Sequence, residues 1–290
     1  MEFKFNKIIV PLVLTIVTIT IGCIENKNDM NNEEYNIKNS ESIVQFNLSD
    51  QLKEISGLAC SDDGRVFCHN DEEGVIFEIN PATGEIIKRF QLGAIGIEAD
   101  FEGLAIVNST FYLVDSRGTL YKFSEGSDRT TVKVESQKVG FSSKFEIEGL
   151  CYNPEINSLL FASKEYPGKN YKGYRTVFAY SLDEQTLSPE PIIKIDLNKI
   201  KDELGKNDFY PSGIEYNKLT NSYFIIGSKS QQAIAEYSSV GELKKVQKLK
   251  KKYHRQPEGI TFLPDGRMII SDEGGSSKAT ITIYPAVFEN

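Results

Sequence analysis

The sequence is short of basic residues. Its 290 residues carry 33 lysines and arginines against 41 aspartates and glutamates, a net charge of −8. A nucleic-acid groove needs a basic field, so no nucleic-acid partner is expected. Histidine is nearly absent, with only His69 and His254. Two imidazoles and scattered cysteines offer no plausible zinc ligand set. Of four cysteines, Cys23 belongs to the N-terminal segment and three remain: Cys60, Cys68 and Cys151. Cys60 and Cys68 flank a turn at Asp63-Gly64 and could face each other across a hairpin. Their odd parity and the frequency of buried free thiols favour the unpaired state. No nucleophile–base pair stands at a recognisable spacing. The one dense basic run, Lys244 to Arg255, falls where an outer strand and its connection are expected. It reads as a lysine-guarded edge, with contact to an acidic partner as the alternative.

What the chain has in abundance is one phrase, written five times: Glu54-Ile-Ser-Gly-Leu58, Asp100-Phe-Glu-Gly-Leu104, Glu146-Ile-Glu-Gly-Leu150, Tyr210-Pro-Ser-Gly-Ile214 and Gln256-Pro-Glu-Gly-Ile260. Successive glycines are 46, 46, 64 and 46 residues apart. A period of about 40–50 residues marks a radial β array with one small sheet per repeat. Short β-branched and aromatic runs separated by Gly, Asn, Asp and Ser fill each unit. In the second they are Leu104–Val107, Thr110–Asp115, Thr119–Phe123 and Thr130–Glu135. Antiparallel strands joined by hairpins follow.

The fifth unit lacks its fourth strand, whereas Ser42–Leu48 is an alternating strand ahead of the first unit. Pairing the two closes the ring and removes an open edge. The expectation is an all-β, five-bladed propeller of four-stranded antiparallel blades. Six blades is the alternative, because one interval is 18 residues longer than the rest. That surplus divides between a long hairpin at Tyr166–Gly173 and a short helix near Leu197–Leu204. The phrase glycine lets the backbones of crowded inner strands approach near the axis. The residue before it then points at the channel or its rim.

Residues 1–22 read as a signal peptide: Lys4 and Lys7, an apolar run over Ile8–Ile21, then Gly22. Thr20-Ile-Gly-Cys23 resembles a bacterial lipobox, which implies cleavage before Cys23 and lipid on its sulfur. A plain transmembrane anchor is the alternative. Residues 23–40 are polar and read as a flexible tether, leaving 41–290 for the propeller. The expected location is extracytoplasmic, on a bacterial membrane.

The repeated phrases, together with Tyr112-Leu-Val-Asp115, Pro211-Ser-Gly-Ile214 and Pro264-Asp-Gly-Arg267, resemble the SdiA-regulated (YjiK-like) family of exported bacterial propellers, distantly akin to NHL-repeat propellers. The resemblance covers about residues 42–290. It implies a five-bladed propeller with calcium at a shared site and a membrane-associated location, and it implies no settled chemistry.

The residue before the phrase glycine is Ser56, Glu102, Glu148, Ser212 and Glu258 around the ring. Three converging carboxylates repel unless a cation sits among them. Calcium suits Glu102, Glu148 and Glu258, because it accepts six to eight oxygens at flexible angles. Ser56, Ser212, Asp115 and Asp272 are weaker candidates, and Asp100 and Glu146 read as rim charges. The alternative is that each glutamate accepts backbone N–H bonds and clips one blade to the next without metal. A second cluster is expected at the second-strand ends, around His69, Asp115, Lys164, Ser228 and Asp272. It could bind a polar ligand or merely form turns.

Two functions follow. One is a tethered module that binds calcium and an unidentified small molecule or protein. The other is a calcium-dependent hydrolase of lactones or phosphoesters, with Asp115, Asp272 or His69 as base. The lack of a catalytic motif favours binding.

Overall fold

A computed structural model describes residues 43–142, 144–205, 208–229 and 231–286. The expected signal peptide, Cys23 and tether lie outside the described residues. Within them, five sheets form a five-bladed β-propeller. Blade I comprises Ile55–Cys60, Val66–Asn70, Val75–Ile79 and Ile86–Leu92. Blade II comprises Phe101–Val107, Thr110–Asp115, Thr119–Ser124 and Val134–Lys138. Blade III has Ile147–Asn153, Ser158–Ser163 and Tyr174–Ser181, with an outer edge shared by Thr186–Leu187 and Ile193–Asp196. Blade IV comprises Pro211–Asn217, Ser222–Gly227, Ala233–Ser238 and Leu243–Lys248.

Blade V takes Pro257–Phe262, Met268–Asp272 and Thr280–Tyr284 from the end of the chain and Val44–Asn47 from its start. The closing pair is antiparallel, running from Val44 opposite Ile283 to Asn47 opposite Thr280. Gln45 Nε2 donates to Thr282 Oγ1 at 2.8 Å, tying the closing strand to its neighbour by a side chain as well. Inner strands touch in the cyclic order I–II–III–IV–V–I.

The core is divided into five apolar clusters, one in each gap between adjacent blades. The residue after the phrase glycine enters a different cluster each time: Leu58, Leu104, Leu150, Ile214 and Ile260. The repeat therefore supplies one apolar anchor per gap, and no blade buries both faces without its neighbours.

The long interval holds no sixth blade. It contains the 164–173 connection and a helix, Leu197–Leu204, capped by Asp196, whose carboxylate accepts from Asn198 N at 2.9 Å. One expected strand is corrected. The segment read as a single outer strand over Thr130–Glu135 is split: Thr131–Val132 pairs in parallel with Gln91 and Leu92 of blade I, and Val134–Lys138 forms the edge of blade II. Val132 and Val134 both pack into the cluster between these blades, so the segment runs along their gap and its backbone serves both edges. The basic run lies on the outer strand of blade IV and the turn after it, where Lys244 reaches Glu236 at 2.6 Å. The three described cysteines are free, and Cys60 stands opposite Val66 while Cys68 stands opposite Leu58. No helix among the described residues is long and apolar enough to cross a membrane.

Candidate functional site

Each phrase carries a β-bulge that spacing alone does not reveal. On blade II the pairing steps from Phe101–Asp115 to Gly103–Val114, leaving Glu102 as the extra residue. The same slip leaves Glu148, Ser212 and Glu258 extra on blades III, IV and V. On blade I it falls between Ile55 and Leu58. A bulge bends the strand and re-aims the side chain of the inserted residue. The glycine that follows is required by crowding. A Cβ at Gly103 would stand 2.5 Å from Leu150 N of the next blade, and one at Gly259 would stand 2.6 Å from Ser56 O.

The serines of the ring act as clips between blades. Ser56 Oγ donates to the Glu102 carbonyl at 3.0 Å, joining blades I and II. Ser212 Oγ donates to the Pro257 carbonyl at 2.6 Å, joining blades IV and V.

The glutamates behave differently. Glu102, Glu148 and Glu258 come from three blades yet sit close enough for their charges to act on one another. Burial, then the charges of Glu148 and Asp100, push the Glu102 carboxyl up to about 10. Burial, then Glu148, raises Glu258 well above the usual carboxylate range. Burial raises Glu148 less, to about 7, because Lys164 opposes it. Lys164 Nζ lies 2.7 Å from Glu148 Oε1. Burial alone would lower the lysine, but the charges of Glu148, Glu102 and Glu258 outweigh it and hold the ammonium above its ordinary value. Asp100 and Glu146 are exposed beside the ring and add to its negative field.

Lys164 was legible in the sequence only as one of many rim residues. Its place as the ring's internal cation depends on the turn after Ser158–Ser163, where its backbone N–H bonds to Glu146 O at 2.9 Å. Three other members of the expected rim cluster, Asp115, Asp272 and His69, are occupied. Asp115 is buried, and its Oδ1 accepts N–H bonds from Arg117 at 3.0 Å and Thr119 at 2.8 Å. Asp272 is buried against His254, whose Nδ1 lies 2.7 Å from Asp272 Oδ2, and it also accepts from Gln256 N at 3.1 Å. His69 is fully buried; its Nε2 accepts from Gly57 N at 3.2 Å and its Nδ1 donates to Asn70 O at 2.8 Å. Burial holds this imidazole down to about 4 and therefore neutral. With both nitrogens engaged, it braces the bulge of blade I and is unsuited to act as a base.

Among the described residues, no three His, Cys, Asp or Glu side chains are already gathered at metal-binding distance. In donor type and charge the ring nevertheless fits a hard divalent ion. Three carboxylates face one ammonium, and a double positive charge makes up the difference. Ser56 and Ser212 direct their hydroxyl protons at carbonyls, and Asp115 and Asp272 accept backbone N–H bonds, so the carboxylates that could hold such an ion are those of Glu102, Glu148 and Glu258.

No protein-family model and no curated protein matches this sequence. Solved structures do. The chain is similar to a luciferin-regenerating enzyme at TM-score 0.52 and 9% identity, over 83% of this chain and 94% of that one. It is also similar to the glutaminyl cyclase of Myxococcus xanthus at TM-score 0.51 and 13% identity, over 86% and 97%. At such identities the likeness shows the fold alone, and that fold is the β-propeller.

Proposed function

We propose that this chain is an exported, membrane-tethered propeller module that holds calcium at the mouth of its channel through Glu102, Glu148 and Glu258. Its role on this reading is to bind a ligand or partner there. The observation that carries the reading is the convergence of three carboxylates from three blades, Glu148 buried and Glu102 and Glu258 half-buried, beside the ammonium of Lys164. Burying ionised carboxylates without cations costs several kcal/mol each, at roughly the level of a whole domain's stability margin. Calcium would supply that charge, and a partner's polar group could complete its shell. The N-terminal lipobox resemblance and the likeness of the repeats to the SdiA-regulated family support the extracytoplasmic, tethered location.

Binding is preferred to hydrolysis because the candidate bases are engaged. His69 is neutral with both nitrogens bonded, and Asp115 and Asp272 accept backbone N–H groups inside the blades. The test is thermal unfolding of metal-free protein titrated with calcium. At one hundred times Kd the expected stabilisation is about 2.7 kcal/mol. Glu148→Gln should require more calcium for the same shift. An unchanged transition at millimolar calcium would remove the ion from the proposal. Labelling with a lipid precursor, compared with Cys23→Ser, tests the anchor.

A further inference from the structure

The inner strands line the axis at a second level. Two residues after each phrase glycine stand Ala59, Ala105, Cys151, Glu215 and Thr261, and all five line one cavity of about 360 Å³. The cavity opens at the opposite end of the inner strands from the Glu102 ring, between the turns that follow them. Its volume lies within the range of small-molecule sites, about 300–1,000 Å³.

The ring is asymmetric in a specific way. In a five-blade ring, blades I and II lie across the axis from blade IV. Those two blades contribute Ala59 and Ala105, and blade IV contributes Glu215. The smallest side chains thus leave space facing the carboxylate. Glu215 is fixed from below: Oε1 accepts from Tyr216 N at 2.9 Å and Oε2 accepts from Thr261 Oγ1 at 3.1 Å. Each oxygen keeps a further lone-pair direction. Lys218, the one basic side chain among the described residues lining the cavity, is exposed on the rim and already paired with Asp62 at 2.7 Å. Tyr152, Tyr216 and Phe262 contribute aromatic surface to the walls.

We propose that this second mouth binds a small organic ammonium ion, with Glu215 as its counter-charge and the aromatic walls enclosing its alkyl groups. A carboxylate fixed by two donors and facing a void with no internal cation suits a ligand that brings its own positive charge. Aromatic faces attract such cations further. A metal ion is the poorer occupant. Cys60 and Cys151 neighbour the carboxylate, but no three potential metal ligands are gathered at binding distance among the described residues. Burial raises Glu215 to about 8, and the hydrogen bonds from Tyr216 and Thr261 moderate that rise. Without a bound cation Glu215 therefore favours its protonated form at neutral pH, and an ammonium ion displaces that proton. The other titratable groups facing Glu215 are Cys60, Cys151, Tyr216 and Lys218, with Asp62 and Asp63 beside them. Burial keeps both thiols in the protonated form across this range.

The experiment uses the full chain with choline and its uncharged isostere 3,3-dimethylbutan-1-ol, observed by ligand NMR and titration calorimetry. Choline should bind saturably, and the isostere at least about tenfold more weakly. Choline affinity should rise about tenfold per pH unit between pH 6 and 7.5, as the carboxylate gives up its proton. Glu215→Gln, which keeps the size of the side chain, should weaken choline at least about tenfold and abolish that pH dependence. Ala105→Val should weaken choline while leaving Glu215 intact. Equal affinity for choline and the isostere, undiminished choline binding by folded Glu215→Gln, or no saturable binding at pH 8 would each overturn the proposal.

Discussion

Lys164 Nζ lies 2.7 Å from Glu148 Oε1, and this pair is the electrostatic pivot of the Glu102–Glu148–Glu258 ring. Glu148 is 5% exposed, so it depends on a partner supplied by the turn 16 residues further along the same blade. Replacing Lys164 with Met leaves that carboxylate without its ammonium. The expected loss at pH 7.5 is about 1 kcal/mol, below the roughly 3–5 of a fully buried pair because Glu148, titrating near 7, takes up a proton once its partner is gone. At pH 5 Glu148 is protonated in both proteins and the loss should nearly vanish. Urea unfolding at the two pH values checks this; an equal loss at both would mean that the lysine acts by packing.

The raised carboxyls make stability fall with pH. Glu102 titrates near 10 and Glu148 near 7 in the folded protein, with Glu258 also raised, against about 4.3 for unfolded glutamate. Between the unfolded and folded values the native state binds more protons, so stability is highest below about pH 4.5 as far as these groups are concerned. It declines as pH rises towards their folded values. In metal-free protein each group adds a slope of at most about 1.4 kcal/mol per pH unit, reduced where the channel admits water. Glu102→Gln should flatten the profile between pH 5 and 8, and the variant should be the more stable protein at pH 8. A wild-type profile that is flat or rising from pH 5 to 8 would refute this account of the ring.

Gly103 and Gly205 offer a paired test of crowding. A Cβ at Gly103 meets the backbone of Leu150 at 2.5 Å, which no side-chain rotation can relieve, so Gly103→Ala should cost about 3 kcal/mol. Gly205 has φ of +80° and nothing within 4 Å, so Gly205→Ala should cost only about 1 kcal/mol of backbone strain. Denaturant midpoints of the two variants check the difference.

Removal of the closing strand should open the ring. A chain that begins at residue 49 lacks Val44–Asn47, leaving the Thr280–Tyr284 strand as an unpaired edge. Exposed edges recruit other chains. Light scattering should show self-association and calorimetry a lower transition temperature. A monomer with an unchanged transition would show that the closing strand is dispensable.

Blade number, ring closure and the glycine positions were determined by the sequence, because each is a local matter repeated at a fixed interval. A phrase recurring every 46 residues specifies one sheet per copy, and an N-terminal strand without a partner matches a last unit short of one. The candidate acids Glu102, Glu148 and Glu258 were also legible, since they share a position in the phrase. Tertiary structure alone decided what those positions do. The bulges that re-aim Glu102, Glu148 and Glu258 appear only when two strands are paired. The clipping role of Ser56 and Ser212 requires a carbonyl from the next blade. Lys164 and Glu215 lie outside the repeated phrase and acquire their places by convergence at the axis, from residues far apart in the chain. Periodicity records which face of a strand is buried, whereas the field at the axis is a sum over blades, and only closing the ring brings those charges together.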